Sequence, residues 1–331
     1  MHLVNDFLSK YFLPLSLQET VNPVEFCSDS SFVVSLLTFG TGGRFGRLSA
    51  PLAQKLVDHA VSSGIKVFDT GFEYCSGASQ KLLFKSLSRH LYANTCDIKL
   101  STKFRLPLHF GELTENVNET LSMLPSRGYI DTLFLWGPSI ADLTNSFIWD
   151  ELNILKQSGK IMRYGVNTHD YIVLSHLHES QKNICLDDIM LDYNLLQLDR
   201  EILINSFANS GVKVWAGTAL CQGFLNQSLF DMVRRTRSFS YLARALFNPS
   251  TFRFLAPARK LRNFIRFKFP QYCESIPLSF VLQNSSVSFV PVGMLSCSSI
   301  TSNLQILSNL VPIDILETVS SWAKLNCQVS D

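Results

Sequence analysis

The chain has 331 residues, of which 46% are hydrophobic and 17% are charged, and its formal net charge is +2. This length suits one α/β barrel or two smaller domains, and the near-neutral charge predicts no general attraction to nucleic acid. The sequence shows no basic leader with a small-residue cleavage site and no apolar run of the ~18 residues that a membrane helix needs. Its eight cysteines form no Cys-x-x-Cys pair, which argues against a disulfide framework. We therefore expect a cytoplasmic protein without a membrane or nucleic-acid partner.

Short apolar runs alternate with helical patterns along the chain. The runs are continuous, which is typical of strands buried on both faces of a parallel sheet. The predicted strands are Val34–Phe39, Lys66–Asp69, Ile98–Thr102, Thr132–Leu135, Tyr164–Val166, Ile189–Tyr193, Lys213–Ala216 and Ser288–Pro291. Eight strands with intervening helices predict an α/β fold, the (β/α)8 TIM barrel, whereas six or seven strands would suit an open doubly wound sheet.

Proline and glycine mark the ends of the predicted helices. Ser49 or Pro51 opens a helical pattern that ends at Gly64, and the pattern in "TNSFIWDELNILKQSG" ends at Gly159. Proline in the first turn and glycine after the last turn are typical of helix boundaries. Both helices therefore fit the connections between predicted strands.

We predict an N-terminal extension, residues 1–31, followed by one barrel domain, residues 32–331. The extension contains "VNDFLSKYFLPL", which is amphipathic enough to form a short helix. This helix would either cover the bottom of the barrel or contact a partner subunit.

One segment after the seventh predicted strand is strongly basic and would form an insertion in the barrel. Residues 234–268 contain no acidic residue and carry Arg234, Arg235, Arg237, Arg244, Arg253, Arg259, Lys260, Arg262, Arg266 and Lys268. Barrels of this kind commonly bind phosphate groups near the loops after strands seven and eight. The segment is therefore a candidate clamp for cofactor phosphate or for an anionic substrate. The alternative is a solvated helical face, part of which packs through the interleaved phenylalanines.

Four polar or amphipathic side chains lie at or just after the ends of predicted strands. Asp69 ends the second strand and Tyr74 follows five residues later, while Lys103 and Trp136 follow the third and fourth strands. The loops after the strands of a barrel gather on one face and build the active site, so we expect these residues to lie close together. Each of them alone would more simply be a structural side chain.

Lysine beside tyrosine has a definite chemical use. A phenol titrates near ~10, and a neighbouring ammonium, held in place by a carboxylate, stabilises the phenolate and lowers that pKa. Such a tyrosine exchanges a proton with a carbonyl or alcohol oxygen during hydride transfer. The histidines predict no metal site, because His169 and His176 are two helical turns apart and His176 and His178 point away from each other.

The order and content of these segments resemble the aldo-keto reductases. "VFDTGFEYCSGASQKLL" and "IKLSTKF" are similar to the family's segments with the catalytic Asp, Tyr and Lys. "SGKIMRYGVNTHD", "LDYNLLQLDRE" and "GVKVWAGTALCQGFL" resemble its fifth, sixth and seventh strands, and "VLQNSSVSFVPVGMLSCSSITSNL" resembles the eighth strand with the loop for the cofactor adenosine. The likeness extends from about Ser35 to Leu310, and "FLWGPS" and "LLTFGTGG" resemble the branch of aldose and galactose dehydrogenases.

The resemblance implies a barrel that binds NADPH without a Rossmann domain and acts on a small-molecule carbonyl or alcohol substrate. It implies that Tyr74 is the general acid/base, that Lys103 modulates its pKa and that Asp69 is the partner of the lysine. Asn167 and Thr168 would lie by the nicotinamide amide, the loop after strand seven by the pyrophosphate and Asn303 by the adenine. The predicted cofactor-binding residues are Gly40, Thr41, Asn167, Thr168, Thr218, Leu220, Gly223, Gly293, Ser296 and Asn303.

Four positions depart from the family pattern. Trp136 stands where the family has a catalytic histidine, and an indole donates one hydrogen bond but does not titrate. Met190 replaces a glutamine and Gly217 an aromatic residue that stacks on the nicotinamide. Leu295 replaces an arginine that grips the 2′-phosphate, and an apolar side chain makes no charge-assisted bond to phosphate. The resemblance makes NADP(H) the expected cofactor, and Leu295 makes NAD(H) the alternative.

We predict an NAD(P)(H)-dependent oxidoreductase that moves a hydride between the nicotinamide and a carbonyl or secondary alcohol. Trp136 leaves open a second reading. In it the barrel is catalytically altered or inactive, and serves as a nucleotide-binding regulator, as a scaffold or in a specialised biosynthetic step.

Overall fold

The computed structural model describes residues 24–26, 32–34, 36–92, 97–106, 108–124, 127–180, 185–228, 230–232 and 249–329. Its strands are β1 (Val24–Phe26), β2 (Phe32–Val34), β3 (Leu36–Gly40), β4 (Val67–Asp69), β5 (Lys99–Arg105), β6 (Ile130–Trp136), β7 (Ile161–Asn167), β8 (Asp188–Asp192), β9 (Lys213–Gly217) and β10 (Phe289–Gly293). Its helices are α1 (Ala50–Ser62), α2 (Ala78–Tyr92), α3 (Glu112–Ser122), α4 (Ile140–Leu143), α5 (Ser146–Gln157), α6 (Tyr171–Glu179), α7 (Glu201–Asn209), α8 (Pro249–Phe252), α9 (Leu255–Lys268), α10 (Ile276–Leu282), α11 (Cys297–Ser308) and α12 (Ile313–Asn326).

Strands β3 to β10 form a closed parallel barrel in the order β10-β3-β4-β5-β6-β7-β8-β9, and β10 pairs with both β3 and β9. Helices connect the strands, so the predicted (β/α)8 barrel is confirmed and the open sheet is excluded. The first predicted strand, Val34–Phe39, combines parts of two strands, because Val34 ends β2 and the barrel strand begins at Leu36. Strands β1 and β2 form a separate antiparallel pair, and the predicted N-terminal helix lies outside the described residues.

The predicted helix boundaries are confirmed by the backbone. Helix α1 begins at Ala50, with Pro51 in its first turn, and Gly64 follows its end with a φ of 89°. Gly159 follows α5 in the same way, with a φ of 69°. This left-handed conformation costs glycine little and lets the chain turn back toward the next strand.

Side chains from five strands meet inside the barrel. Val67, Phe134, Met190, Trp215 and Phe289 form an apolar cluster separate from the main core. The Trp215 ring lies 5.3 Å from Phe134 on β6 and 4.3 Å from Phe289 on β10, between ring centroids. Because side chains two residues apart on a strand share a face, the residues that follow these by two positions point toward the barrel axis at the C-terminal end.

The basic insertion is described only from residue 249 onward, so Arg234, Arg235, Arg237 and Arg244 lie outside the described residues. Helix α9 carries most of the remaining charges and packs against α12, where the Phe264 ring stacks on Trp322 at 4.0 Å. Lys260 Nζ donates to the Asn326 carbonyl at 3.2 Å. This helix therefore has one packed face, and its role in phosphate binding stays a prediction. No helix within the described ranges has the length and hydropathy needed to cross a membrane.

Candidate active site

Asp69 and Lys103 form a buried ion pair at the C-terminal end of the barrel. Lys103 Nζ donates to Asp69 Oδ1 at 2.6 Å and to Asp69 Oδ2 at 2.5 Å, and its third hydrogen bond goes to the Thr70 carbonyl at 3.0 Å. Lys103 is 1% exposed and Asp69 is 4% exposed. Ser101 Oγ also donates to Asp69 Oδ1, at 2.6 Å. The ammonium is therefore held by Asp69 and the Thr70 carbonyl, and it also interacts with the Tyr74 phenol.

The position of Lys103 differs from the sequence expectation. We expected it just after the end of the third strand, but β5 continues to Arg105, so Lys103 lies within the strand. Burial alone would lower the pKa of Lys103, but Asp69 and Tyr74 outweigh that effect, and the pKa is higher than usual. The lysine is therefore charged at any physiological pH.

Tyr74 is held beside this ion pair by a strained turn. The Lys103 ammonium lies 5.5 Å from the centroid of the Tyr74 ring. Cys75 and Ser76 follow the tyrosine with φ angles of 55° and 53°, an uncommon conformation for residues with a side chain. A Cβ atom on Gly71 would stand 3.0 Å from two carbons of the Tyr74 ring, so the ring packs directly on the backbone there. The structure thus brings Asp69, Tyr74 and Lys103 together as the sequence predicted.

The net effect on the Tyr74 phenol corrects one expectation. We expected the ammonium of Lys103 to bring the pKa of Tyr74 below its ordinary value. Burial raises this pKa more than Lys103 lowers it, and Asp69 adds to the increase, so the pKa is above its usual value. Burial is the main cause, and Asp69 contributes because its negative charge offsets that of the lysine. Tyr74 is accordingly a neutral proton donor in the free protein.

Trp136 ends β6 and covers one side of the tyrosine. The two rings meet edge to face, with centroids 5.5 Å apart and an interplanar angle of 82°. The indole also contacts Arg105, whose guanidinium carbon lies 5.2 Å from the indole centroid. Arg105 pairs with Trp136 in the register of β5 and β6. Trp136, which the sequence placed at this end of the barrel, is therefore in contact with Tyr74.

Three neighbouring strands end in glycine at the same end of the barrel. Gly217 ends β9, Gly293 ends β10 and Gly40 ends β3, and the last two are register partners. Because glycine has no side chain, no side chain of these three residues projects into this part of the mouth. Two of the three, Gly40 and Gly293, belong to the predicted cofactor-binding set.

The other predicted cofactor residues lie around this opening. Asn167 and Thr168, at the end of β7, are buried, and Gly223 lies in a short 3-10 helix after β9. Thr41 donates from Oγ1 to Thr70 Oγ1 at 2.9 Å, so its hydroxyl joins β3 to β4. Ser296 caps α11 by accepting a hydrogen bond from the Ser299 backbone N–H at 3.1 Å.

The remaining three predicted cofactor residues lie in the loop after β9 and on α11. Thr218 adopts a left-handed backbone with a φ of 49°, and Leu220 accepts a hydrogen bond from the Gly223 N–H at 2.8 Å in the same loop. Asn303 is half-buried on α11. All ten predicted residues follow or end strands at one end of the barrel, or lie on the helix that begins there, but their roles remain predictions.

Sequence reasoning missed two features of this end of the barrel. Arg105 was not singled out, although it lies two residues after Lys103 and that spacing places both on one face of a strand. The ion pair between His169 Nδ1 and Asp192 Oδ2, at 2.8 Å, was also missed. His169 had been considered only as a metal ligand, and no local pattern links it to a residue on the next strand.

A cavity of about 220 Å³ lies at the opposite, N-terminal end of the barrel. Its lining includes Val67, Lys99, Lys213, Trp215 and Phe289, all near the starts of strands. Because the functional sites of barrels with this fold lie at the C-terminal ends of the strands, the Tyr74 end rather than this cavity is the candidate site.

Comparison with known proteins agrees with this geometry. The fold is similar to that of the aldo-keto reductase AKR11C1 from Bacillus halodurans in its holo form, with a TM-score of 0.67 and 20% identity over 89% of this chain and 94% of that chain. It is also similar to the thermostable aldo-keto reductase Tm1743, solved with the inhibitor epalrestat, with a TM-score of 0.65 and 18% identity over 87% of this chain and 95% of that chain. A sequence search among curated proteins finds no significant match.

The sequence itself matches the profile of the Aldo/keto reductase family over residues 36–323. This range includes the whole barrel, from β3 to β10, and most of the last helix. The chain therefore belongs to the aldo/keto reductase family.

Proposed function

We propose that the chain is an oxidoreductase that transfers a hydride reversibly between NADP(H) and a small carbonyl compound or secondary alcohol, with NAD(H) as the alternative cofactor. The observation that carries this proposal is the contact of Tyr74 with the buried Lys103–Asp69 pair at the C-terminal end of the barrel. Family membership supports oxidoreductase chemistry at this place.

The residues at the mouth of the barrel fit a nicotinamide dinucleotide. The glycine ends of β9, β10 and β3 leave room for a flat ring, and the buried polar residues Asn167 and Thr168 lie across from them at the end of β7. Helix α11 begins directly after β10, and the N-terminus of a helix attracts phosphate. When bound, the nicotinamide supplies or accepts the hydride.

Tyr74 moves the proton in the proposed reaction. In the direction of reduction, the neutral phenol donates its proton to the carbonyl oxygen as the carbonyl carbon becomes saturated. The phenolate that forms is stabilised by the Lys103 ammonium, and a proton from water restores the phenol. Asp69 keeps Lys103 charged and oriented through two hydrogen bonds. Because the pKa of Tyr74 is raised, the phenol of the free protein carries the proton that reduction of a carbonyl needs.

Leu295 bears on the choice between the two cofactors. It is half-buried and packs against the core at the start of the α11 segment. It therefore brings no charge to a 2′-phosphate, and only hydroxyl groups such as that of Ser296 stand next to it in the sequence. We propose NADP(H) on the family pattern, and the titration below measures the preference.

One observation favours the second function, a nucleotide-binding barrel without turnover. The indole of Trp136 packs against the Tyr74 ring in the place where the family has a histidine. An indole fills more space than an imidazole and does not accept a hydrogen bond. A regulator or scaffold would keep the nucleotide site and lose the reaction.

Titration of the full chain with NADPH and with NADH, followed by tryptophan fluorescence, separates these functions. A panel of aldehydes and ketones is then assayed with the cofactor that binds more tightly. We expect binding and turnover. Binding without turnover on any carbonyl compound would support the regulatory function, and no binding of either nucleotide would contradict both.

A further inference from the structure

We propose that the carbonyl substrate carries a negative charge, as a carboxylate or a phosphate, and that Arg105 binds this charge. The inference rests on the proposed function and names the class of substrate for it. It begins from the position of Arg105, which ends β5 two residues beyond Lys103 and therefore lies on the same, inward face of the strand.

The guanidinium of Arg105 is available to a ligand. The residue is exposed, and no carboxylate among the described residues lies within ion-pair distance of it. Its guanidinium lies over the Trp136 ring. Glu73 accepts a hydrogen bond from the Arg105 backbone N–H at 2.9 Å. That bond fixes the backbone and does not involve the guanidinium, whose donors meet no hydrogen-bond acceptor among the described residues.

The other cation of the site is not available. Lys103 is 1% exposed, and its ammonium is held by Asp69, the Thr70 carbonyl and the Tyr74 phenol. An anionic substrate would therefore find its partner in Arg105 rather than in Lys103. Stacking on an indole also suits this task. The indole face supports the flat guanidinium, and the N–H edge of the guanidinium stays free for a bidentate bond to an anion.

Arg105 is also placed at a useful distance from the reacting group. The same indole that carries Arg105 contacts the Tyr74 ring at 5.5 Å between centroids. Trp136 is thus a shared neighbour of the anion site and the proton donor. A small substrate with its carbonyl group at Tyr74 and its charged group several bonds away would span the indole. This arrangement gives Trp136 a role that a histidine would not fill.

The anion bound by Arg105 is not the cofactor phosphate. In the barrel order, β5 and β9 are four strands apart, so they lie on opposite sides of the eight-stranded ring. The predicted pyrophosphate loop follows β9, and the predicted adenosine helix α11 follows β10. Arg105 consequently faces the part of the mouth that is left for the substrate.

The test compares matched aldehydes with one ring and different charges. Benzaldehyde, 4-carboxybenzaldehyde and 4-formylphenyl phosphate are assayed with the full chain and its preferred cofactor, and the two anionic compounds distinguish carboxylate from phosphate. We expect kcat/KM to be about tenfold higher or more for at least one anionic aldehyde than for benzaldehyde. Arg105→Gln should abolish this preference. The matched control is Lys85→Gln, which removes one positive charge from an exposed position on α2 and should keep the preference.

Calorimetric binding of the same three aldehydes to the full chain tests the inference without turnover. The wild type should bind an anionic aldehyde about tenfold more tightly than benzaldehyde, and Arg105→Gln should bind all three alike. Turnover and binding without a charge preference would overturn the inference while the proposed function stands. A charge preference in binding that depends on Arg105, without turnover, would uphold the anion site and contradict the oxidoreductase. Equal affinities in the wild type and no turnover would remove both.

Discussion

Strand β8 carries a carboxylate at each end, Asp188 buried and Asp192 half-buried, and the two ends differ in what surrounds the carboxylate. Asp188, at the N-terminal end, accepts hydrogen bonds from Trp215 Nε1 at 2.8 Å and from Arg163 Nε at 2.7 Å. Burial raises the pKa of Asp188 above its ordinary value in spite of Arg163. Asp192, at the C-terminal end, pairs with His169, and although burial opposes it, the charges of His169 and Arg200 hold its pKa below the usual range.

A similar contrast separates one site at each end of the barrel. At the N-terminal end Asp188 is bonded to Trp215 and Arg163. At the C-terminal end the Lys103–Asp69 pair is equally closed, but Trp136 beside it contacts both Tyr74 and the exposed Arg105. Polar groups that satisfy one another stabilise the fold, whereas those that still have unused donors are free to meet a ligand.

The largest expected effect comes from removing one polar group at each end. Tyr74→Phe deletes the phenolic hydroxyl, and turnover should fall by about 10²-fold or more because the proton donor is gone. Nucleotide affinity, measured by fluorescence titration, should stay the same. The counterpart is Trp215→Phe, which deletes an N–H that is bonded to Asp188 and should lower the free energy of unfolding by about 1–3 kcal/mol with little change in turnover. If Tyr74→Phe retains its rate, Tyr74 has no part in the mechanism.

The next effect compares the two buried carboxylates that face cations. Asp69→Asn leaves the ammonium of Lys103 buried without a counter-charge, and we expect a loss of about 3 kcal/mol or more in the free energy of unfolding. Asp188→Asn should cost less, because the Arg163 side chain is 31% exposed and so reaches water. Urea unfolding of both variants at neutral pH measures the difference. Equal losses would contradict the distinction between a sealed ion pair and one that reaches solvent.

Trp136→His should have a smaller effect and tests the aromatic series at the C-terminal end. The imidazole takes less space against Tyr74 and can also accept a hydrogen bond, so kcat/KM for neutral aldehydes should rise about tenfold. The preference for anionic aldehydes should fall at the same time, because Arg105 loses the indole on which it stacks. Steady-state assays with benzaldehyde and 4-carboxybenzaldehyde measure both changes. A variant with lower activity on every aldehyde would show that the indole assists the reaction instead of limiting it.

The smallest effect is the pH dependence of stability, in which the two ends of β8 have opposite signs. The pKa of Asp188 is raised on folding, so the folded state binds more protons and stability falls as pH rises from the ordinary carboxyl pKa through the raised one. The pKa of Asp192 is lowered, so its stabilisation is present above the ordinary pKa and is lost as pH falls through the lowered one.

Urea unfolding between pH 3 and pH 7, in steps, measures both slopes against the ordinary carboxyl pKa of about 4. Asp188→Asn should remove the decline toward neutral pH, and Asp192→Asn should remove part of the loss in acid. If both substitutions changed the slope of stability against pH in the same direction, the contrast between the ends of the strand would be contradicted.

Much of the fold and part of the site were predictable from local patterns. Continuous apolar runs located all eight barrel strands, because a strand buried on both faces needs no polar alternation. Asp69 ends one strand, Tyr74 follows it in the loop and Lys103 lies on the neighbouring strand. Their contact was predictable because parallel strands bring their C-terminal ends to one edge. Arg105 was missed because an exposed arginine at a strand end has no distinctive local pattern, and only its register with Trp136 reveals the contact.

The sequence by itself determined the barrel, its family and the pairing of an ammonium with a carboxylate near a phenol, because each depends on residue types at short, regular spacings. The tertiary structure alone decided that the pKa of Tyr74 rises instead of falling, because burial and the neutralisation of Lys103 by Asp69 depend on how tightly the strands close around them. It also decided that Arg105 lies over Trp136 with no ion-pair partner among the described residues, since that contact joins two strands whose register no local pattern records.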